Sequence, residues 1–196
     1  MNRKYLGDAF DHWKGSLFEL LEGTHALRDL AVDPMASDLA EWTPQDFSLF
    51  AKLLRVTPDQ IVRHSHPLQD RTKYFEELLH PGDLFLDPDT GIATGSVKNQ
   101  TQYVHPMEVG NLIASRPDRI VTVYQHVRAQ RVADRVDSVL AALAAHAKAK
   151  EWCSYESGTV AMIFLAGEVE RMKAVRRTFS DLLGAHAEGR IRSGQV

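Results

Sequence analysis

The stretch DLFLDPDTG, residues 83–91, decides the fold. Its first half contains the apolar run Leu84-Phe85-Leu86, which is typical of a strand buried on both faces of a parallel sheet. Its second half, Pro88-Asp89-Thr90-Gly91, is a turn sequence that ends the strand. Ligands of open α/β sheets bind outside the carboxyl ends of the strands. The stretch therefore predicts both a central strand and the position of a binding site.

Helices and strands alternate on either side of this stretch. Hydrophobic spacing predicts helices over about 5–22, 43–54, 71–79, 105–115, 129–149 and 168–183, and strands over 27–33, 83–87, 120–126, 153–157 and 160–165. Residues 61–65 are compatible with a strand or a helix. Residues 92–103 are polar and contain glycine, so we expect a mobile loop there.

This alternation predicts the fold class. Helical crossovers between strands imply a mostly parallel sheet covered on both faces. The last two strands have almost no connection, so they must be antiparallel neighbours. We expect a three-layer, Rossmann-like α/β sandwich over residues 1–184, with a mostly parallel sheet that ends in an antiparallel strand pair. The tail over 185–196 is small and polar and is expected to be flexible.

Composition limits the classes of function. The 196 residues suggest one domain, and 23 basic against 26 acidic residues give a net charge of -3. That balance creates no global field that would draw the protein to nucleic acid or an anionic membrane, although a local basic patch is compatible with it. Cys153 is the only cysteine, so we expect a reducing cytoplasmic location and a buried apolar role for this side chain. No apolar run indicates a membrane span or a signal peptide.

Three predicted strand ends carry polar side chains. Asp33 ends the first strand, Asp87 and Asp89 flank Pro88 after the central strand, and Tyr124-Gln125-His126 ends the next. Two carboxylates so close in sequence repel each other unless a divalent cation, a lysine or a shared proton neutralises them. The alternative is ordinary turn chemistry, in which the aspartates accept hydrogen bonds from backbone N–H groups.

The remaining residues of these strand ends have distinct chemistry. Gly91 permits a sharp turn or a close approach to a ligand. Tyr124 can stack on a planar ligand, and Gln125 can hydrogen-bond an amide or a base edge. His126 can act as an acid, a base or a ligand at neutral pH, whereas the structural alternative is a hydrogen-bonded histidine.

A second group of polar residues lies in the first predicted helix. Asp8, Asp11 and Lys14 follow Gly7 at intervals that place them on one flank, away from the apolar face, where they can address a common ligand. Alternatively, Asp8 caps the helix, and Asp11 and Lys14 form an i,i+3 pair worth a few tenths of a kcal/mol. His64-Ser65-His66 is only a weak indication of a metal site, because no third ligand is marked nearby.

Three motifs together support a resemblance. The segments KYLGDAFDHWKGSLFELL, LFLDPDTGI and IVTVYQHV resemble a group of uncharacterised bacterial and phage proteins with the patterns Lys-Tyr-x-Gly-Asp-x-x-Asp-x-x-Lys, Asp-Pro-Asp-Asn-Gly and Tyr-Gln-His. Thr90 stands where that group has asparagine.

The layout also resembles, more distantly, the adenine-N6 methyltransferases that act on ribosomal RNA. In those enzymes a Gly-Asn-His-x-Asp-x-x-x-Lys helix contributes to the S-adenosylmethionine pocket, and Asp-Pro-Pro-Tyr after the central strand holds the target amine. The resemblance implies that Gly7, Asp8, Asp11 and Lys14 match the first element, and that Asp87-Pro88-Asp89 matches the second. Residues 33–38, DPMASD, stand in place of the glycine-rich turn that follows the first strand of the methyltransferases.

Three hypotheses about function follow. In the first, a methyltransferase-like enzyme acts on nucleic acid or a nucleotide with S-adenosylmethionine; Asp87 and Asp89 bind the reacting amine or a cation, Tyr124 stacks, and His126 handles a proton. In the second, Asp33, Asp87 and Asp89 hold Mg²⁺ or Mn²⁺ for phosphodiester hydrolysis. In the third, the protein is a non-catalytic binding module with a degenerate pocket. The residues expected to contact a cofactor or ligand are Gly7, Asp8, Asp11, Lys14, Asp33, Gly91, Tyr124 and Gln125.

Overall fold

The computed structural model describes residues 1–78, 81–146 and 149–196. Its helices are α1 (Ala9–Gly23), α2 (Pro44–Leu53), α3 (Arg71–Glu76), α4 (Pro106–Ser115), α5 (Val132–Ala144) and α6 (Val169–Leu183). Its strands are β1 (Ala31–Asp33), β2 (Leu84–Leu86), β3 (Gly91–Ile92), β4 (Tyr103–Val104), β5 (Ile120–His126), β6 (Glu151–Ser157), β7 (Val160–Ala166) and β8 (Ile191–Gln195).

The described residues form one six-stranded sheet in the order β1-β2-β5-β7-β6-β8, and a second sheet of β3 and β4. The pairings of β1 with β2 and of β2 with β5 are parallel. The pairings of β5 with β7, of β7 with β6 and of β6 with β8 are antiparallel. The chain is therefore α/β, as expected, but its sheet is mixed rather than mostly parallel. The predicted antiparallel pair β6–β7 is confirmed.

Buried side chains pack on both faces of this sheet. Successive strand residues point to opposite faces, and two hydrophobic clusters follow this alternation. One cluster contains Phe85 together with Phe18 of α1, Phe50 of α2 and Phe179 of α6. The other contains Leu84 and Leu86 together with Tyr74 of α3, Ile113 of α4 and Val139 of α5. Strand β2 is thus buried on both sides, as its apolar run predicts, but it is second in the sheet, between β1 and β5, and not the central strand that we expected.

Local capping chemistry explains where several elements begin. Thr43 and Asp46 form the reciprocal hydrogen bonds of a capping box at the start of α2, as their spacing predicts. Helix α1 begins at Ala9 rather than near residue 5, because Asp8 caps it. Ile61 forms a parallel bridge with Val32, which decides the ambiguous segment in favour of extended backbone. The predicted mobile loop 92–103 is bounded by β3 and β4, which pair in parallel.

The predicted ends of two helices differ from the observed ones. Helix α3 ends at Glu76 and α5 spans Val132–Ala144, so both are shorter than expected. Leu79, at the predicted end of α3, and residues 147–148, near the predicted end of α5, lie outside the described residues.

The carboxyl-terminal segment corrects the prediction of a flexible tail over 185–196. Residues 191–195 form β8, which pairs with β6 from Tyr155↔Ile191 to Glu151↔Gln195. The indole N–H of Trp152 donates to the Gln195 carbonyl at 3.2 Å. Strand β6 would otherwise be an open edge with unpaired backbone groups, and β8 satisfies them. Across the three described ranges, no helix combines the length and the apolarity needed to cross a membrane.

Candidate functional site

A cavity of about 230 Å³ opens at the carboxyl ends of β2 and β5. The amino-terminal segment, the start of α1, the turn after β2 and the end of β5 contribute its walls. We call it the inner cavity, and its lining residues are Met1, Tyr5, Asp8, Phe10, Asp11, Lys14, Asp87, Pro88, Asp89, Tyr124, His126 and Arg128. The structure thus brings Asp87, Asp89 and His126, the three residues predicted to be catalytic, to one hollow.

Three buried charged side chains that line this cavity, Asp11, Lys14 and Asp87, form an ion triad. The Lys14 ammonium donates to both carboxylate oxygens of Asp87, at 2.8 and 3.0 Å, and to Asp11 Oδ1 at 3.0 Å. The second oxygen of Asp11 accepts from the Gly7 backbone N–H at 2.8 Å. Asp11 and Lys14 are only 1% and 3% exposed, and they form the i,i+3 pair that was the alternative prediction for them. Lysine is the neutralising partner of Asp87.

Burial controls the electrostatics of the triad, which holds two carboxylates and one cation. Loss of solvent raises the pKa of the Asp87 carboxyl, although the Lys14 charge opposes this shift. Burial alone would lower the pKa of Lys14, but the charges of Asp87 and Asp11 outweigh it and raise that pKa. Lys14 therefore stays charged, and both oxygens of Asp87 are already occupied. Asp87 does not offer a free carboxylate to a ligand.

Aromatic rings form one wall of the inner cavity. The Tyr124 ring lies 4.4 Å from the Lys14 ammonium and 6.3 Å from the Phe10 ring. The His126 ring lies edge-on to the Phe10 ring at 5.7 Å. It is stacked on the Tyr124 ring at 6.0 Å. Burial and the neighbouring Arg128 charge lower the pKa of His126, so its imidazole is neutral at pH 7. Burial also raises the pKa of Tyr124 far above its usual value, and the phenol stays protonated.

Two buried polar atoms of the cavity residues have no hydrogen-bond partner. One is Nδ1 of His126 and the other is Oδ1 of Asp89. The second oxygen of Asp89 accepts from the Ser37 hydroxyl at 2.9 Å, which fixes the carboxylate in place. Buried polar groups are nearly always paired in folded proteins. Asp89 Oδ1 lies 3.9 Å from the Met1 amino group, which is too far for a hydrogen bond. Both atoms therefore keep a hydrogen-bonding capacity that a ligand can satisfy.

Gln125 and Gly91 hold the backbone and do not contact the cavity, which corrects their prediction as ligand-binding residues. The Gln125 amide donates to the carbonyls of Thr90 and His126 at 2.9 and 2.8 Å and accepts from the Ile92 N–H at 2.9 Å. Gly91 has φ +125°, and a Cβ there would stand 2.3 Å from Gln125 Oε1. Glycine is needed for this contact.

Asp8 and Gly7 also have structural roles. Asp8 lines the cavity, but its Oδ1 accepts from the N–H groups of Phe10 and Asp11 at 2.8 and 3.2 Å, so it is the N-cap of α1. Gly7 adopts φ +93°, a conformation that favours glycine, and its N–H supports Asp11.

Asp33 lies in a separate buried network, which corrects its assignment to the site. Its Oδ1 accepts from the Met35 N–H at 2.8 Å and from the Tyr74 hydroxyl at 2.6 Å. Among the described residues, no group of three His, Cys, Asp or Glu side chains is arranged to hold a metal ion. The predicted cation site of Asp33, Asp87 and Asp89 is therefore not formed.

His64 and His66 do not form a metal site either, because both bind the Glu77 carboxylate. Their Nδ1 atoms lie 3.0 and 2.7 Å from its oxygens. His64 also stacks on Tyr74, with ring centroids 3.5 Å apart. These contacts fasten the segment after β1 to α3.

The backbone after β1 does not fit S-adenosylmethionine. Pro34, Met35 and Ala36 are buried, and Met35 has φ +43°. The amino group of Met1 donates to the carbonyls of Pro34 and Met35 at 2.5 and 2.6 Å and to that of Asp87 at 2.9 Å. Met1 therefore contacts the segment that stands where the methyltransferases have a glycine-rich turn.

Sequence reasoning missed four residues of the inner cavity, namely Met1, Tyr5, Phe10 and Arg128. Phe10 is an apolar residue of α1, but it is half-buried at the cavity wall. Arg128 follows His126 by two residues, so a slightly longer window after the strand would have included it. No local signal marks Met1, since its partners lie more than thirty positions away.

Comparison with known proteins adds no family assignment. No protein-family model matches the chain, and no curated protein matches it. The interpretation of function therefore rests on the chemistry of the inner cavity.

Proposed function

We propose that the inner cavity binds the base of a nucleotide or of a nucleic-acid strand, and that the base carries an exocyclic amine. The observation that supports this most directly is that two buried atoms of the cavity residues, Asp89 Oδ1 and His126 Nδ1, lack a hydrogen-bond partner, and that the cavity has an aromatic wall. An amine donates to the carboxylate, and the neutral imidazole pairs with a ring atom or a second polar group of the base.

The size of the inner cavity favours a single ring system. Its volume of about 230 Å³ lies below the roughly 300–1,000 Å³ of pockets that hold drug-sized ligands. A whole dinucleotide or S-adenosylmethionine is too large for it, whereas one purine or pyrimidine is of the right scale. The rings of Tyr124, Phe10 and His126 supply a surface for stacking, and base–aromatic stacking is worth about 1–3 kcal/mol per base.

The architecture supports the same interpretation. We propose a three-layer, Rossmann-like arrangement related to the methyltransferase fold, because helices pack on both faces of the sheet and the sequence predicts this class. The cavity lies outside the carboxyl ends of two parallel strands, where such folds bind ligands. We assign no methyl-transfer step, since the segment after β1 does not fit the cofactor.

A non-catalytic binding module is our second candidate, and the ion triad favours it. Lys14 and Asp87 neutralise each other, so neither is free to act as an acid or a base. His126 is then the one imidazole that lines the cavity, among the described residues, and its Nδ1 has no hydrogen-bond partner. A His126→Phe variant loses the imidazole contact to the base, and biological activity that falls only in proportion to its base affinity would favour the binding module over an enzyme.

Calorimetric titration tests base binding. We expect adenosine and cytidine to bind, and inosine and uridine, which lack the amine, to bind at least about tenfold more weakly. A hydrogen bond to a charged group contributes about 1.5–3 kcal/mol, which corresponds to roughly 10–150-fold in affinity. Asp89→Asn should reduce this discrimination.

The matched control is Asp118→Asn, which changes an exposed carboxylate remote from the cavity residues. It should leave all four affinities unchanged. No binding of any nucleoside at millimolar concentration, or equal binding of all four, would refute the proposed function.

A further inference from the structure

A second cavity adjoins the inner one. It has a volume of about 290 Å³ and shares Tyr5, Asp89 and Arg128 with the inner cavity. We call it the outer cavity. Polar side chains dominate it, including Asn99 and Thr101 from the segment between β3 and β4. The two cavities share three lining residues, and we call them together the groove, with an aromatic inner half and a polar outer half.

The charge changes sign along this groove. Four aspartates and two basic side chains line the inner cavity, whereas one aspartate and two basic side chains, Lys4 and Arg128, line the outer cavity. Neither Lys4 nor Arg128 takes part in a salt bridge within the described parts of the chain. The Lys4 ammonium lies 4.7 Å from the Tyr5 ring, at the junction of the two cavities.

We propose that the outer cavity is the phosphate subsite of the ligand whose base occupies the inner cavity. This inference rests on the proposed function and makes the ligand a nucleotide rather than a free base or nucleoside. Lys4 and Arg128 supply the positive charge that a phosphate requires, and arginine also matches the geometry of phosphate oxygens. Asn99 and Thr101 provide hydrogen-bonding groups for the sugar.

Asp89 fixes the direction in which the ligand binds. Its carboxylate stands where the two cavities meet, held by Ser37. There it attracts the amine of the base and repels a phosphate that would otherwise enter the inner cavity. The base therefore points toward Tyr124 and the phosphate toward Lys4.

Titrations with paired ligands test the phosphate subsite. We expect adenosine 5′-monophosphate and cytidine 5′-monophosphate to bind at least about tenfold more tightly than adenosine and cytidine, because charge-assisted hydrogen bonds are roughly twice as strong as neutral ones. The double variant Lys4→Ala/Arg128→Ala should lose this advantage, measured as the ratio of nucleotide to nucleoside affinity. Because Arg128 also lines the inner cavity, the single variant Lys4→Ala, at a residue that lines the outer cavity and not the inner one, is the one that should keep the nucleoside affinity. The matched control, Lys173→Ala/Arg177→Ala, removes two basic residues from α6, outside the groove.

The outcomes separate the two proposals. Nucleoside binding without a gain from phosphate, or a gain that survives in the double variant, overturns the phosphate subsite and leaves base binding intact. A phosphate-dependent gain that requires Lys4 and Arg128 but does not discriminate between amino and keto bases supports the subsite and overturns base recognition. No binding of any ligand overturns both.

A short single-stranded oligonucleotide distinguishes the source of the phosphate. If it binds more tightly than the monophosphate, with affinity that falls more steeply as salt rises, the natural ligand is a residue within a strand. If it binds no better than the monophosphate, the ligand is a free nucleotide.

Discussion

Replacement of Lys14 by methionine tests the ion triad. The substitution removes the cation and leaves the carboxylates of Asp11 and Asp87 buried beside each other. Removal of one partner from a buried ion pair costs about 3–5 kcal/mol. For a domain of this size, each kcal/mol shifts the melting temperature by about 2–4 °C, so we expect a loss of roughly 6–20 °C.

The assay is thermal unfolding followed by circular dichroism, with Lys173→Met as the matched control. Lys173 forms the same type of i,i+3 pair, with Glu170 at 2.6 Å, but its side chain is 59% exposed. Exposed pairs contribute little, so we expect the control to change the melting temperature by no more than about 2 °C.

The pH dependence of the Lys14→Met variant provides a second measurement. Without Lys14, the pKa of Asp87 rises further above its unfolded value, because the charge that most strongly opposes the effect of burial is gone. A carboxyl with a raised folded-state pKa destabilises the protein at pH values above that pKa, and the penalty disappears as pH falls below the unfolded pKa of 3.8. The deficit of the variant should therefore shrink on acidification. If Lys14→Met and Lys173→Met both lower the melting temperature by the same small amount at pH 7, burial does not make removal of Lys14 costly, and the prediction is wrong.

Three further predictions concern the rest of the fold. Gln125→Leu should lower the free energy of unfolding by about 2 kcal/mol or more in a urea titration, since it removes three side-chain hydrogen bonds to backbone groups, of which the Thr90 carbonyl keeps a second donor, the His126 N–H. His64→Gln should be less stable than the wild type at pH 6, with a gap that closes toward pH 9. Burial opposes the His64 charge, but two carboxylates raise its pKa, so the stability it contributes is lost as pH rises through that value. Deletion of residues 191–196 should lower the melting temperature and promote self-association, measured by light scattering, because it exposes the edge of β6.

Each of these has an outcome that would contradict it. The control for Gln125→Leu is Gln100→Leu, which removes an exposed amide that donates to the Val97 carbonyl. An equal loss of unfolding free energy in the two variants would show that burial does not determine the cost. A constant gap between His64→Gln and the wild type from pH 6 to pH 9 would exclude protonation of His64 as the cause. A truncated chain that melts at the wild-type temperature would mean that β8 contributes nothing to the sheet.

Local sequence rules predicted most of the elements and the location of the site. The apolar run of β2 and the turn after it placed a polar site at the carboxyl ends of β2 and β5, where the inner cavity lies. The alternation of side chains along β5 also separates the cavity residues from Gln125. Tyr124 and His126 share one face of β5, whereas Gln125 points to the other, where it bonds the backbone.

The sequence by itself determined features that depend on neighbouring residues, such as the caps of α1 and α2, the hydrophobic faces and the β6–β7 pair. Only the tertiary structure decided that Lys14 binds Asp87, 73 positions away, and that the carboxyl-terminal segment completes the sheet beside β6. Capping and periodicity act over a few residues along the chain, so local patterns record them. Long-range ion pairs and edge pairing arise between surfaces that the folded backbone brings together. The local sequence around Lys14 or residues 191–195 does not record which distant group each will meet.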